Sequence, residues 1–251
     1  MTDCEEIPAD HPRHDSLVTR HRIEEGVEAG ITSRQGLIAQ GRGEAFDYLL
    51  GEETIPSADR AARAAAAALL DAEHPVLSVN GNVAALVPEE MVALAEAVDA
   101  DLEVNLFNRT AARMAAIEAH LEAHGAEAVK GRAADARIPD LSHERAKVDA
   151  DGIYDADVVL VPLEDGDRAE ALAEMGKTEI VIDLNPLSRS AQMAAIPVID
   201  NILRAIPAIT AHAEELAGAG PEAVTAARAE FDAEAALAAA EERIRTGLGE
   251  G

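Results

Sequence analysis

Apolar positions fall along the chain in two alternating patterns. Short runs of strand character occur at Val76–Val79, Leu102–Phe107, Asp157–Leu163, Glu179–Leu184 and Pro197–Ile199, with a weaker one at Ala126–Val129. Between them, Pro88–Val98, Arg109–His124, Arg168–Met175 and the stretch from about Ile202 to Leu216 read as helices. The runs VLSV, VVLVPL and EIVIDL suit strands buried on both faces. Strands alternating with helices predict an α/β fold, a parallel sheet with helices on both faces. Upstream, residues 16–30 and 57–73 have helical propensity, the second broken by His74-Pro75. Gln35–Gly43 between them is glycine-rich, and Gly41-Arg42-Gly43 reads as a loop for close backbone approach. The expected organisation is a helical N-terminal segment (1–75) packed on an α/β core (76–217), then an acidic Ala/Glu-rich helix or tail (218–251). Residues 131–156 are irregular by this reading.

Charge changes the picture more than size does. The 251 residues carry 48 acids against 21 bases, a formal net charge of −27. A general nucleic-acid binder needs a basic face, so that class is excluded. Such self-repulsion suits a solvent that screens it, where the Debye length falls to about 3 Å at 1 M salt. The acidity therefore reads as that of a halophile's cytoplasmic protein and reports on solvent rather than reaction. No apolar run approaches the roughly 18–20 residues of a membrane span, and no signal peptide opens the chain. Cys4 stands alone, which excludes an internal disulfide or a thiolate metal site.

The charge is uneven. Between His11 and Gly43 five arginines (Arg13, Arg20, Arg22, Arg34, Arg42) outnumber the acids Asp15, Glu24, Glu25 and Glu28. A cationic segment in so acidic a chain suggests a local anionic ligand, with ion pairing along a helix as the alternative. In open parallel sheets ligands sit beyond the carboxyl ends of the strands. The residues following the predicted strands are polar: Asn80-Gly81-Asn82; Asn108 and Arg109; Glu164, Asp165, Asp167 and Arg168; Asp183, Asn185, Ser188, Arg189 and Ser190. Pro186–Ser190 offers hydroxyls and a guanidinium suited to phosphate. A dinucleotide glycine fingerprint and a Walker loop are missing. His11 and His14 lack further ligands, and His120 and His124 lack the zinc-protease glutamate. His143, in the irregular segment, is the histidine best placed for function.

The runs GLIAQGRGEAFDYLLGE (36–52), SVNGNVAALVPEE (78–90), DARIPDL with HERAKV (135–148), GIYDADVVLVPLEDGDR (152–168), IDLNPLSRSAQ (182–192) and VIDNILRAIP (198–207) resemble the archaeal phosphopantothenate synthetases, or 4-phosphopantoate–β-alanine ligases. The resemblance covers about residues 7–210 and leaves out the tail from about 213. It implies a Rossmann-like fold, a homodimer and an ATP-dependent, AMP-forming ligase of coenzyme A biosynthesis, with Mg²⁺. The family's nucleotide-binding positions fall on Arg20, Arg42, Asp183, Leu184, Asn185, Arg189, Ser190, Asn201 and Ile202. One departure is Gln40, where the family pattern has histidine. Arg42, Arg189 and His143 are the expected catalytic residues. Asn80, Asn82, His143 and Arg145 are the expected ligands of phosphopantoate. No residue is expected to form a resident metal site. Two other classes stay open on the residues alone: a nicotinamide-dependent oxidoreductase on a divergent Rossmann fold, and a non-catalytic nucleotide-binding dimer.

Overall fold

In a computed structural model, which describes residues 7–247 apart from 9, 12, 164 and 165, seven strands form among the described residues: β1 (Pro75–Val79), β2 (Asp101–Val104), β3 (Ala136–Arg137), β4 (Lys147–Val148), β5 (Val158–Pro162), β6 (Thr178–Asp183) and β7 (Ile196–Ile199). Five make one parallel sheet in the order β2-β1-β5-β6-β7. Counted among the parallel strands, this is the doubly wound order 2-1-3-4-5. The register sets Leu102, Leu77, Leu160, Ile180 and Ile196 side by side on one face. Val76, Val159 and Val161 point to the other face. Both faces are covered, as the continuous apolar runs predict.

The first face lies under α3 (Pro56–Leu70), α5 (Pro88–Val98) and α9 (Ile202–Ala219). α3 is built largely of alanine, and its buried residues include Ala61, Ala62 and Ala64–Ala68. Small side chains let neighbouring helices approach closely on all sides. Accordingly α3 contacts α9 and β7, and α10 (Pro221–Ala229) and α11 (Ala233–Thr246) close over it. The Ala/Glu-rich C-terminal segment is therefore two packed helices rather than a solvated tail, with Val224, Ala227, Leu237 and Ala240 buried.

At the N-terminus, α1 (His14–Glu28) packs on the short α4 (Gly81–Leu86) and on α2 (Arg34–Leu50). α2 corrects the reading of Gln35–Gly43 as a loop. Ser33 caps the helix by accepting from the Gly36 N–H at 3.3 Å, and Gly51 ends it in the left-handed region (φ 99°). Gly36 serves contact rather than turning: a Cβ there would lie 2.3 Å from Asn82 Oδ1 and 2.6 Å from Thr32 Cγ2. A second correction concerns Ala126–Val129, which forms no strand; only Lys130 bridges to Glu103. Alanine and glutamate in that stretch give little strand propensity.

The second face lies under α7 (Gly166–Glu174) and an excursion from Gly131 to Ala156. The excursion contains the antiparallel β3–β4 pair, a 3-10 turn (Glu144–Ala146) and a wide turn (Ala150–Tyr154), and it buries Ile138, Val148 and Ile153 against the sheet. Two carboxylates anchor it. Glu103, fully buried on β2, accepts from the N–H groups of Asp149 (3.1 Å) and Ile153 (2.6 Å). Asp149 in turn accepts from Gly131 N–H (2.8 Å) and Ala134 N–H (2.6 Å).

Burial pushes the Glu103 carboxyl up to about 7, although the two N–H donors pull it down. A carboxyl raised on folding binds an extra proton in the folded state between its unfolded value, near 4.5, and about 7. Its stabilising contribution is complete below that window and is lost as pH rises through it. Denaturant titrations in constant molar salt should show Glu103 lowering stability by up to about 3 kcal/mol between pH 4.5 and 8. Glu103→Gln should remove that component of the slope. It should also cost about 1–2 kcal/mol at pH 5, because one backbone N–H loses its acceptor.

Candidate functional site

The order in which strands are added reverses between β1 and β5, the switch point at which doubly wound folds open a crevice. A cleft of about 740 Å³ lies there, beyond the carboxyl ends of β1, β2, β5 and β6 and under α2. β1 delivers Asn80, Gly81 and Asn82; β2 delivers Leu106, Phe107 and Asn108; β6 delivers Asp183, Leu184 and Asn185. Ser188, Arg189 and Ser190 come from the start of α8 (Arg189–Met193), and Gln35, Gly36, Arg42 and Phe46 from α2.

Of the residues expected from sequence, the structure gathers Arg42, Asn80, Asn82, Arg145, Asp183, Leu184, Asn185, Arg189 and Ser190 around this cleft. Several spend their side chains holding it together. Asn80 caps α4, its Oδ1 accepting from Asn82 N–H (3.0 Å) and Val83 N–H (3.1 Å), and its Nδ2 donates to Pro162 O (3.0 Å). The expected turn at 80–82 is thus a helix start tied to β5. Asn82 Nδ2 donates to Gly36 O at 3.0 Å and ties that helix to α2. Asp183 accepts from Ser188 Oγ (2.5 Å) and Asn185 N–H (3.1 Å), while Ser188 caps α8 by accepting from Ala191 N–H (3.1 Å). Burial pushes the Asp183 carboxyl up, against those hydrogen bonds and the nearby charge of Arg42.

Four expected residues lie outside the cleft lining. Arg20, on α1, forms a two-pronged pair with Glu44 of α2. Asn201 lines a second cavity of about 610 Å³ on the other side of α2, beside Gln40 and Arg204. Its Nδ2 donates to Asp47 (2.7 Å) and its Oδ1 caps α9. Ile202 is buried as the first residue of α9. His143 also stands outside the lining: its ring lies against Phe107 of the cleft wall with centroids 5.3 Å apart, and the 3-10 turn that follows brings Arg145 to the cleft. Glu164, Asp165 and Cys4 lie outside the described residues.

Arg113 is a cleft residue that the sequence did not disclose. Arg109 lies in the segment between β2 and α6 and donates to Gly131 O. Arg113 sits in the first turn of α6 (Ala111–Ala123), and helical side chains lean toward the N-terminus. Its guanidinium reaches back, with Nη1 donating to Asn108 O (2.6 Å) and Nη2 to Ile31 O (2.8 Å). Arg109 precedes α6 and Arg113 lies on it, so the placement of that helix separates the two arginines.

The electrostatics of the cleft oppose those of the chain. Its described lining carries four cations, Arg42, Arg113, Arg145 and Arg189, against one carboxylate, Asp183. Arg189 is held at the rim by Asp167 and Glu170. Neither Arg42 nor Arg113 makes an ion pair among the described residues. Burial pushes the Arg113 guanidinium below its ordinary range. A cationic cavity inside a chain of net −27 fits a polyanionic ligand.

Comparison with known proteins agrees with this chemistry. The profile of the phosphopantothenate/pantothenate synthetase family matches residues 57–247. The match runs through α10 and α11, so the resemblance extends past the limit near residue 213 set from the sequence. A 4-phosphopantoate–β-alanine ligase of Thermococcus kodakarensis is 56% identical over 227 residues, covering 90% of this chain and 87% of its own. Those of Thermococcus onnurineus and Methanosarcina mazei are 60% and 57% identical, over 84% and 86% of this chain and 81% and 84% of their own.

Paired glycine substitutions test how α2 roofs the cleft. In a helix, Gly→Ala ordinarily stabilises by about 0.8–1 kcal/mol. A methyl group added at Gly41 would have nothing within 4 Å, so Gly41→Ala should raise stability by up to that amount. Gly36→Ala should lower it by about 1–3 kcal/mol, because Asn82 and Thr32 are buried and already hydrogen-bonded. Thermal melts of both variants in the same molar-salt buffer check the opposite signs.

Proposed function

The chain belongs to the phosphopantothenate/pantothenate synthetase family, and on that premise we propose that it joins 4-phosphopantoate to β-alanine using ATP. The products are 4-phosphopantothenate, AMP and diphosphate, in coenzyme A biosynthesis. The observation that carries this reading is the cationic cleft at the topological switch point. A nicotinamide enzyme would call for the glycine fingerprint that the β1–α4 corner does not have.

The reaction proceeds in two steps. The 4-phosphopantoate carboxylate attacks the α-phosphorus of ATP, forming an acyl-adenylate and releasing diphosphate. The amine of β-alanine then attacks the acyl carbon, forming the amide and releasing AMP. Arg42 and Arg189 stabilise negative charge that builds on the phosphates. To do so Arg189 exchanges its carboxylate partners for phosphate oxygens. The β6–α8 turn, with Asp183, Leu184, Asn185 and Ser190, holds the nucleotide; Arg20, Asn201 and Ile202 act from the far side of α2. Asn80, Asn82 and Arg145 frame the phosphopantoate end, with His143 supporting that wall through Phe107. Among the described residues no group of three or more His, Cys, Asp or Glu gathers to cage a metal. Mg²⁺ carried on the triphosphate needs only one or two protein carboxylates, and Asp183 is the one the described cleft lining offers. Bound there, the ion would neutralise phosphate charge.

We further propose a homodimer through α2. That helix buries only Asp47 and Leu50 and leaves Leu37, Ile38 and Tyr48 exposed. The enzyme is assigned to the cytoplasm of a halophile; no helix among the described residues is long and apolar enough to cross a membrane.

AMP release is expected in molar salt only when Mg-ATP, 4-phosphopantoate and β-alanine are all present, except for a single-turnover burst of diphosphate without β-alanine. Nucleotide binding with no AMP under any combination would move the assignment to a nucleotide-binding dimer. Arg42→Ala and Arg189→Ala should each lower kcat/KM for ATP by about 10²–10³-fold. By light scattering, the wild type should have twice the chain mass and Ile38→Glu the mass of one chain.

A further inference from the structure

We propose that His120 and His124, at the C-terminal end of α6, form a binding site for a divalent transition-metal ion with right-angle coordination, Ni²⁺ or Cu²⁺. Neither ring lines the cleft, so the site stands apart from the ligase reading.

The two imidazoles stand at i and i+4, one turn apart, and so share one face of the helix. Their centroids lie 4.3 Å apart with the ring planes inclined by 56°. Both residues are half-buried, and a backbone group holds each ring. The His120 carbonyl receives the backbone N–H of His124 (3.2 Å) and also its Nδ1 (2.7 Å). A carbonyl oxygen only accepts, so Nδ1 carries the proton and Nε2 keeps its lone pair. Histidines that bind metals commonly have their second nitrogen held in this way. His120 makes its own hydrogen bond to the backbone of Ala84 on α4. Burial and the neighbouring His124 lower its pKa, so this ring too is neutral and keeps one lone pair. Two imidazoles with fixed tautomers on one helix face are a preorganised pair of nitrogen ligands.

The spacing selects the ion. A metal–nitrogen bond of about 2.1 Å sets a ring centroid about 3.2 Å from the ion. Two such rings at a right angle have centroids about 4.5 Å apart, and at the tetrahedral angle about 5.2 Å. The observed 4.3 Å fits the right angle. Ni²⁺ and Cu²⁺ offer such adjacent positions and accept imidazole, whereas Mg²⁺ and Ca²⁺ favour oxygen ligands. Among the described residues no third His, Cys, Asp or Glu completes a metal cluster, so water fills the other positions and the ion is exchangeable. The residue after His120 is the buried Leu121, where a zinc hydrolase carries its glutamate, so the pair binds an ion without hydrolytic chemistry.

The test titrates Ni²⁺ into the full chain by calorimetry, in molar NaCl free of chelators, and records the paramagnetic resonance spectrum of bound Cu²⁺. One Ni²⁺ should bind per chain, and the Cu²⁺ spectrum should show coupling to two imidazole nitrogens. His120→Gln and His124→Gln should each weaken Ni²⁺ binding about 100-fold, because the gain from linking two ligands is lost. His11→Gln, which alters the other closely spaced pair (His11 and His14), should leave the affinity unchanged. Ni²⁺ at about 100 times its Kd should raise the Tm of the wild type by about 5–10 °C and that of the double variant not at all. Unchanged Ni²⁺ affinity in the double variant, or its loss in His11→Gln, would overturn the site. Coupling to fewer than two nitrogens in the wild type would overturn it as well, whether or not the variants fold. Tighter binding of Zn²⁺ than of Ni²⁺ would overturn the choice of ion.

Discussion

Gly36 sets how near α2 can lie to the carboxyl ends of the strands. With no Cβ there, the helix settles against Asn82 and Thr32 and receives a hydrogen bond from Asn82 at its own backbone carbonyl. The other end of α2 is pinned electrostatically. Buried Asp47 accepts from Arg204 Nη2 (2.6 Å) and Asn201 Nδ2 (2.7 Å), and Arg204 also pairs with Asp200. Held at both ends, α2 becomes the wall between two cavities and carries Arg42 into one of them. The crevice that the sheet topology provides gains its roof from this seating.

A second constraint is the handling of charge. An excess of carboxylates covers the chain, yet the cleft gathers guanidinium groups. Many described arginines elsewhere pair with carboxylates, as Arg63 does with Glu215, Arg132 with Glu118 and Arg228 with Asp71. Within the cleft lining, Arg42 and Arg113 make no ion pair among the described residues. The two carboxylates buried beneath the excursion do a different job. Glu103 and Asp149 bind backbone N–H groups, fixing an irregular segment whose own secondary structure is short. Through that segment β2 governs where Arg145 stands.

The α/β class and the polar turn at 183–190 were legible because both are local signals: unbroken apolar strands, followed by turn and capping residues. Arg42 was legible as an uncompensated cation, though on a loop that proved to be a helix. Glycine has two uses, conformational freedom and small size, and sequence alone does not distinguish them at Gly36, Gly41 and Gly43. The irregular segment does reach the cleft, but which of its side chains line it depends on a single 3-10 turn: Arg145 does, and His143 lies against Phe107. Arg113 was invisible because nothing in its neighbourhood differs from an ordinary helical arginine.

By itself the sequence determined the order of strands and helices, their burial on both faces, the family, and a polar crest beyond the strands. These follow from periodicity and from long matching runs, which are properties of neighbouring residues. Tertiary structure alone decided which crest residues line the cleft and which of them also act as struts. Asn80 and Asn82 line the cleft and also hold the crest together; Arg109 turns to Gly131 while Arg113, on α6, reaches the lining; and the C-terminal helices find their place on α3. Each depends on contacts between residues far apart in the chain, where packing distance and side-chain direction, rather than residue type, determine the outcome.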